Sequence, residues 1–245
     1  MKLKPVLKSH VKFVQVRPYN GDGYIITNEC IKTHRSLVQN LTFKRVAAIC
    51  AGGEVGLTVY GPRCEELILI DHGTVGLQAA YLKLEMLRKL KTGTFQKIIT
   101  GGMPEQIVPH IKKLVPSLPD ELYPHGSIDL KAGIPMGSAL IKDAWDDQPR
   151  LKALKNLLPK ISLVHGDIRD LNTMGTFDLI YGSNAIVDHR GHDYHIPQAT
   201  DLLPCLNPGG HLILTGYTNR PVDPGFTQVA HTQYGWWDYY VWQKN

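Results

Sequence analysis

The sequence lacks several features that would each indicate a particular class of protein. Its four cysteines form no C-x-x-C pair and have no regular spacing, which argues against a zinc knuckle and a disulfide framework. No run of about 18 apolar residues occurs, and no continuous apolar stretch follows the basic N-terminus. We therefore expect no membrane span and no signal peptide, and a cytoplasmic protein with reduced thiols.

A strong excess of one charge is also absent. The formal net charge is +5 at pH 7, and the lysines and arginines are scattered rather than gathered in stripes. This balance suits an anionic small molecule better than duplex nucleic acid, so a nucleic-acid surface is not predicted. The expected partner is a small molecule, and the sequence does not determine the oligomeric state.

Short apolar runs rich in Ile, Val and Leu alternate with helix-like segments. This pattern predicts an α/β fold with a doubly wound, mostly parallel sheet that is covered on both faces. The predicted strands span residues 45–50, 66–71, 161–166, 177–183 and 211–217, and an amphipathic helix spans 74–91. Residues 226–245 predict a C-terminal antiparallel hairpin that closes the sheet edge.

Residues 92–160 interrupt this alternation and are rich in proline. So long a segment without a strand predicts an insertion or lid that packs over the sheet, with short helical pieces such as "PRLKALKNLL". Residues 1–44 are predicted to form an N-terminal cap, whose helix-like segment 27–41 either covers a cofactor or simply packs. Residues 45–245 then form one α/β domain.

A glycine-rich turn follows the first of these strands in "VAAICAGGEVG". Small residues there allow a ligand to approach the backbone, and Asp71 at the end of the next strand can accept from ribose hydroxyls. Ala51 takes the first glycine position of a G-x-G-x-x-G pattern. The alternative is a turn that only serves packing. The predicted ligand-binding residues of this region are Ala51, Gly52, Gly53, Glu54, Gly56, Asp71 and His72.

The stretch "LVHGDIRDL" adds a second candidate contact. Asp167 at a strand end can accept from an exocyclic amine, and the aliphatic side chain of Ile168 can cover a base. The alternative is that Asp167 or Asp170 caps a helix.

The stretch "YGSNAIVDHRGHDYH" carries three histidines at a spacing of three, His189, His192 and His195. These could bind a metal, form a catalytic loop or lie on the surface; we predict no metal, because the spacing spreads ligands widely and Gly191 indicates a loop. Ligands of open parallel sheets lie beyond the carboxyl ends of the strands, where this stretch begins. Ser183 is predicted to contact the cofactor. The predicted catalytic residues are Asn184, Asp188 and His189, with Asp188 or His189 as base.

In their order and spacing, the glycine turn, Asp71, "GDIRDL", "FDLIYGSN", "LNPGGHLIL" and the terminal hairpin resemble the class I S-adenosylmethionine-dependent methyltransferases, which have a Rossmann-like fold. The resemblance covers roughly residues 45–243. It implies that residues 51–56 lie against the methionine part of S-adenosylmethionine. It also implies that Asp71 holds the ribose, and Asp167 and Ile168 the adenine.

A narrower resemblance concerns the group transferred. The segment from "RVAAICAGGEVG" to "LKLEMLRKL" is similar to the 3-amino-3-carboxypropyl transferases of betaine-lipid synthesis, and Ser183 to Asp188 resembles their Ser-Asn-x-x-Asp pattern with one extra residue. The length suits a compact relative such as the microcin C maturation transferase. This implies that S-adenosylmethionine is a substrate and 5′-methylthioadenosine a product.

The acceptor is less constrained. A phosphorylated or nucleotide-like small molecule fits the mild positive charge, and a lipid headgroup stays open. Two other functions remain as alternatives: a small-molecule methyltransferase that releases S-adenosylhomocysteine, and a catalytically inactive nucleoside-binding protein.

Overall fold

The computed structural model describes residues 12–15, 29–100, 142–183, 199–216, 225–235 and 237–245. The strands are β1 (Lys12–Gln15), β2 (Arg45–Ile49), β3 (Glu66–Asp71), β4 (Ile161–His165), β5 (Phe177–Ser183), β6 (Leu206–Gly216), β7 (Phe226–Tyr234) and β8 (Trp237–Lys244). The helices are α1 (Ile31–Leu37), α2 (Thr74–Lys89), α3 (Thr92–Thr100), α4 (Gln148–Leu157) and α5 (Ala199–Leu202). A π-helical turn spans Gly56–Tyr60, and 3-10 turns include Ile168–Thr173.

The strands of the described ranges form one sheet in the order β1-β4-β3-β2-β5-β6-β8-β7. Neighbours from β1 through β6 are parallel, and β8 runs antiparallel to both β6 and β7. From β2 the chain builds outward through β3 and β4 and then returns to place β5 on the other side of β2. The strand order thus reverses between β2 and β5, which creates a crevice at their carboxyl ends.

Two apolar layers cover the sheet. One face carries Val46, Ala48, Leu67 and Leu69, which pack in one buried cluster with residues of α1, α2 and α4. The alternate residues of the same strands, such as Ala47 and Ile68, belong to a second cluster with the 3-10 turn and α5. Because successive side chains of a strand point to opposite faces, continuous apolar runs are what a sheet covered on both sides requires.

The predicted fold class is confirmed: the sheet is mostly parallel, has helices on both faces and ends in an antiparallel hairpin. The described residues also contain the predicted central strands and the amphipathic helix, which ends at Lys89. Its predicted apolar face is buried at Leu77, Ala80, Tyr81, Leu84 and Leu87. None of the helices in the described ranges is long and apolar enough to span a membrane.

Two features of the sheet differ from the sequence-based expectations. Residues 12–15 form a strand parallel to β4, so this part of the expected N-terminal cap lies in the sheet. Strand β6 starts at Leu206 instead of residue 211, so that Pro208-Gly209-Gly210, a sequence typical of turns, lies inside the strand. The pairing of β5 with β6 is irregular there, and Gly209 has φ of 72°, so the segment forms a bulge.

Gly56 allows the π-helical turn to pack directly against the sheet. A Cβ at this position would lie 2.4 Å from Leu69 Cδ2 and 3.4 Å from the Ala48 Cβ. We expect Gly56→Ala to lower the free energy of unfolding by about 1–3 kcal/mol, because the buried Leu69 must move. Urea unfolding monitored by circular dichroism would measure this change.

Gly93 provides the matched control for Gly56. It also lies in a helix, but a Cβ there meets nothing within 4 Å. Gly93→Ala should therefore be neutral or stabilise the protein by up to about 1 kcal/mol through helix propensity. Equal effects of the two substitutions would contradict the packing role of Gly56.

Candidate active site

The candidate site lies where the strand order reverses. Ala48 of β2 pairs with Tyr181 of β5, so the residues that follow these positions leave neighbouring strand ends. On the β2 side they form the glycine-rich turn, and on the β5 side they end at Ser183. Open α/β sheets bind ligands in such a crevice.

Strained backbone conformations flank this crevice on both sides. Within the described ranges, Ala51 (φ 37°) and Ser183 (φ 52°) are the non-glycine residues with positive φ. Such conformations cost about 1–2 kcal/mol for residues with a Cβ and tend to cluster at functional sites. Ala51 therefore adopts the conformation for which the first glycine of the G-x-G-x-x-G pattern is normally used.

The Asp71 side chain holds the turn at Ala51. Its Oδ2 accepts from the Ala51 N–H over 2.9 Å, and its Oδ1 accepts from the Gly73 N–H over 2.9 Å. Each oxygen keeps a lone pair for a further donor, so the carboxylate fits the predicted ribose hydroxyls in its chemistry. Burial raises the pKa of Asp71, although the two backbone hydrogen bonds and the nearby His72 and His165 act in the opposite direction.

A buried ion pair fixes the other side of the turn. Lys83 of α2 donates from Nζ to the Gly52 carbonyl over 2.7 Å and to Glu54 Oε1. The Lys83 and Glu54 side chains are 11% and 1% exposed. Glu54, predicted as a cofactor contact, is thus turned toward α2. Gly53 lies close to the same helix, because its Cβ position is 3.0 Å from the Ala80 Cβ.

Ser183 faces a buried polar network. Its Oγ donates to Glu29 Oε1 over 2.5 Å, and Thr215 Oγ1 donates to the same oxygen over 2.8 Å. Glu29 Oε2 accepts from His34 Nε2–H over 2.6 Å and from the Tyr181 hydroxyl. These groups are almost completely buried. We call the set Glu29, His34, Tyr181, Ser183 and Thr215 the Glu29 network.

The predicted adenine contacts follow the carboxyl end of β4, which β3 separates from β2. Asp167 caps the 3-10 turn: its carboxylate accepts from the Arg169 N–H over 2.9 Å and pairs with the Arg169 guanidinium. Asp170 completes a capping box, since its Oδ2 accepts from the Asp167 N–H. Ile168 is 3% exposed and belongs to the apolar cluster under the sheet. Their role in binding adenine stays a prediction.

The remaining predicted residues fall into two groups. His72 is exposed, and its Nδ1 lies 3.9 Å from Asp71 Oδ1. Asn184, Asp188 and His189, together with His192 and His195, lie outside the described residues. In the part of the chain that the structure describes, no cluster of three or more His, Cys, Asp or Glu could hold a metal ion.

Sequence reasoning missed the residues that support the site from a distance. Glu29 and His34 lie in the helix-like segment that was assigned only to covering a cofactor or packing. A buried acid paired with a histidine five residues later gives no local pattern that would reveal its partners on β5 and β6. Lys83 had a detectable signal, since it is a lysine within an otherwise apolar stretch of an amphipathic helix.

The structure has the Rossmann-like fold of class I S-adenosylmethionine-dependent methyltransferases. It is similar to two solved structures of the rRNA methyltransferase AviRa from Streptomyces viridochromogenes, with TM-scores of 0.50 and 0.51 and identities of 12% and 10%. These alignments cover 92% and 91% of this chain, and 88% and 90% of the AviRa chains.

A weaker similarity links the chain to another methyltransferase. The N-methyltransferase NodS from Bradyrhizobium japonicum is 13% identical, with a TM-score of 0.40 over 87% of this chain and 94% of NodS. No protein-family profile and no curated protein sequence matches this chain. At identities of 10% and 12%, the similarity to AviRa establishes the fold alone.

Proposed function

We propose that this protein is an S-adenosylmethionine-dependent alkyltransferase whose site lies in the crevice between β2 and β5. The observation that carries the proposal is the pair of left-handed residues, Ala51 and Ser183, on the two sides of the crevice. Strain at these positions is costly and needs support, which Asp71 gives to one side and Glu29 to the other.

The roles of the residues follow from the chemistry of this substrate class. S-adenosylmethionine supplies an electrophilic carbon on a positively charged sulfur. The acceptor atom forms the new bond to that carbon while sulfur leaves with the electron pair of the broken C–S bond. The protein must therefore orient the two reactants and, for a hydroxyl acceptor, take up its proton. We assign the ribose to Asp71, and the proton to Asp188 or His189.

For the transferred group, we propose the 3-amino-3-carboxypropyl group. The support is the sequence similarity of residues 45–90 and 183–188 to the transferases of betaine-lipid synthesis. Methyl transfer is the second candidate, favoured by the AviRa fold similarity. The acceptor under the first proposal is a small phosphorylated or nucleotide-like molecule.

Identification of the released nucleoside tests both candidates. The protein is incubated with S-adenosylmethionine and a panel of phosphorylated, nucleotide and lipid-headgroup acceptors, and the products are separated by liquid chromatography and mass spectrometry. We expect 5′-methylthioadenosine, because it is the nucleoside left after aminocarboxypropyl transfer. S-adenosylhomocysteine would instead establish methyl transfer.

Two outcomes separate failure of the transferred-group assignment from failure of the function. Calorimetric binding of S-adenosylmethionine without turnover across the whole panel would favour the inactive nucleoside-binding alternative. Absence of binding to both S-adenosylmethionine and S-adenosylhomocysteine would overturn the proposed function altogether. Reactions without protein control for spontaneous breakdown of S-adenosylmethionine to 5′-methylthioadenosine.

A further inference from the structure

The Glu29 carboxylate connects the N-terminal segment to the carboxyl ends of neighbouring strands. Its two oxygens accept from Tyr181 and Ser183 of β5 and from Thr215 of β6. The adjacent Cys30 N–H donates to the Tyr239 hydroxyl of β8 over 3.0 Å. Glu29, two positions before the first residue of α1, thus binds side chains that are 152, 154 and 186 positions away along the chain.

The carboxylate is buried but well compensated. Glu29 is 1% exposed, and an isolated charge at that depth would be very costly. Burial by itself raises the pKa of Glu29, but hydrogen bonding and charge from His34 and hydrogen bonds from Ser183 and Tyr181 outweigh it, so the pKa lies below its ordinary value. The group therefore accepts as a carboxylate near neutral pH, which gives its hydrogen bonds the strength of charge-assisted ones.

His34 fixes the orientation of this carboxylate. Its Nε2 faces Glu29, its Nδ1 lies 3.1 Å from the Tyr60 hydroxyl, and its ring packs edge-on against Tyr181 and Tyr239. Tyr60 ends the π-helical turn that follows the glycine-rich turn. The Glu29 network therefore includes Ser183 at the end of β5 and contacts Tyr60, beyond β2, through His34.

Of the three hydroxyl donors Tyr181, Ser183 and Thr215, Ser183 is the one in a strained conformation. Thr215 and Tyr181 have ordinary φ values, whereas Ser183 has φ of 52°. A serine takes this conformation only when its surroundings compensate the cost, and the short Oγ hydrogen bond to the buried Glu29 carboxylate is a contact that does so. The backbone at Ser183 decides the direction in which the chain leaves β5 at the crevice.

We propose that Glu29 is a positioning residue of the crevice, which holds Ser183 in the left-handed conformation and thereby shapes the β5 side of the S-adenosylmethionine site. The identity of the ligand rests on the proposed function. The conformational part of the proposal rests on the geometry alone, and the two parts can be tested separately.

Substitutions at Ser183 separate this role from a purely structural one. Ser183→Ala loses the hydrogen bond and keeps the cost of positive φ, whereas Ser183→Gly loses the hydrogen bond but adopts positive φ freely. We expect Ser183→Ala to bind S-adenosylhomocysteine about tenfold more weakly than wild type, and Ser183→Gly to bind several-fold more tightly than Ser183→Ala. Isothermal titration calorimetry measures both affinities.

Thr215→Val provides the matched control. It removes the other hydroxyl donor to the same Glu29 oxygen and leaves the Ser183 hydrogen bond to Glu29 in place. Its affinity for S-adenosylhomocysteine should stay within about twofold of wild type. If Thr215→Val, Ser183→Ala and Ser183→Gly were all equally weakened, the network would be only structural and the positioning role would be overturned.

The role of Glu29 itself is tested by rescue. Glu29→Leu removes every acceptor of the network, and we expect the added Ser183→Gly substitution to restore much of the lost affinity. A double variant as weak as Glu29→Leu would contradict the proposal. Should Glu29→Leu fail to fold, the comparison of Ser183→Ala with Ser183→Gly still decides the question.

A ligand-independent measurement distinguishes the two levels of failure. The backbone chemical shifts of Ser183 in the ligand-free protein report whether its conformation is left-handed, and this should be lost in Ser183→Ala. Wild-type protein that binds neither S-adenosylhomocysteine nor S-adenosylmethionine would overturn the proposed function while leaving this result standing. Binding that is equal in wild type and all variants would overturn the positioning role alone.

Discussion

Replacing Asp71 by asparagine is expected to weaken the binding of S-adenosylhomocysteine by about 10- to 100-fold. The carboxylate uses one oxygen for the Ala51 N–H and the other for the Gly73 N–H. Asparagine has only one acceptor oxygen, so its amide group would face one of these N–H donors. The ribose hydroxyls that we assign to Asp71 would also lose a charged acceptor, and a hydrogen bond to a charged group is worth about 1.5–3 kcal/mol, which corresponds to that range of affinity.

Asp178 offers a matched control at the amino ends of the strands, opposite to the crevice. Its Oδ2 accepts from the backbone N–H groups of Lys44 and Arg45, over 2.8 and 2.9 Å, near the amino ends of β2 and β5. Asp178→Asn therefore removes the same kind of contact, far from the crevice. It should lower stability without changing the affinity measured by calorimetry. A similar loss of affinity in both variants would argue against a specific role for Asp71.

The pH dependence of binding gives Asp71 a second signature. Burial raises the pKa of Asp71 above its ordinary 3.8, so the folded protein binds this proton more tightly than the unfolded chain does. Its contribution to stability is then greatest below the unfolded pKa and is lost as the pH rises through the raised folded value. Ribose hydroxyls need the ionised acceptor, so affinity should fall as the pH drops through that raised pKa. The affinity of Asp71→Asn should not show this decline. A wild-type affinity that does not change with pH in this range would contradict the assignment of the ribose to Asp71.

The central sheet could be predicted because each strand carries its own signal. The side chains of Val46 and Leu67 on one face of the sheet and of Ala47 on the other are all buried. A strand that is buried on both faces requires a continuous apolar run, which is visible in the sequence. Strand β1 has no such signal: "KFVQ" is short and joins the sheet only through its pairing with β4. The bulge in β6 was hidden for a related reason, since Pro-Gly-Gly is typical of turns and only the partner strand makes it part of the sheet.

The same distinction between local signals and long-range contacts applies to the residues of the site. The turn at Ala51 and the acid at Asp71 could be predicted from the sequence, because they form a local motif with a known spacing. The contacts of Glu29 could not, since they depend on chain segments that come together only in the folded protein. Glu54 shows the limit of local reasoning: its place in the motif indicates a ligand contact, but its carboxylate is paired with Lys83 of α2. Its predicted contact with the cofactor stays a prediction.

Lys83→Met is expected to lower the free energy of unfolding by about 3–5 kcal/mol, the largest stability effect among these predictions. Lys83 forms an ion pair with Glu54, and the Glu54 side chain is 1% exposed. Removal of the cation takes away the positive charge that Lys83 places beside a buried carboxylate, and it also removes the Lys83 hydrogen bond to the Gly52 carbonyl. For a domain of this size, the melting temperature should fall by roughly 10 °C. Differential scanning calorimetry and urea unfolding measure the two quantities.

The burial of the pair, rather than the presence of an ion pair, determines this magnitude. Lys32 and Asp143 form an exposed pair at 3.2 Å with side-chain exposures of 74% and 30%, so Lys32→Met should cost less than about 1 kcal/mol. Adding Glu54→Gln to Lys83→Met should recover part of the stability, because no uncompensated charge is then buried. We expect Lys83→Met to bind S-adenosylhomocysteine more weakly than wild type, because Gly52 has lost its Lys83 contact. The double variant should bind as weakly as Lys83→Met, since this contact is still missing. Recovery of stability and affinity together would mean that Lys83 only neutralises Glu54 and does not shape the glycine-rich turn.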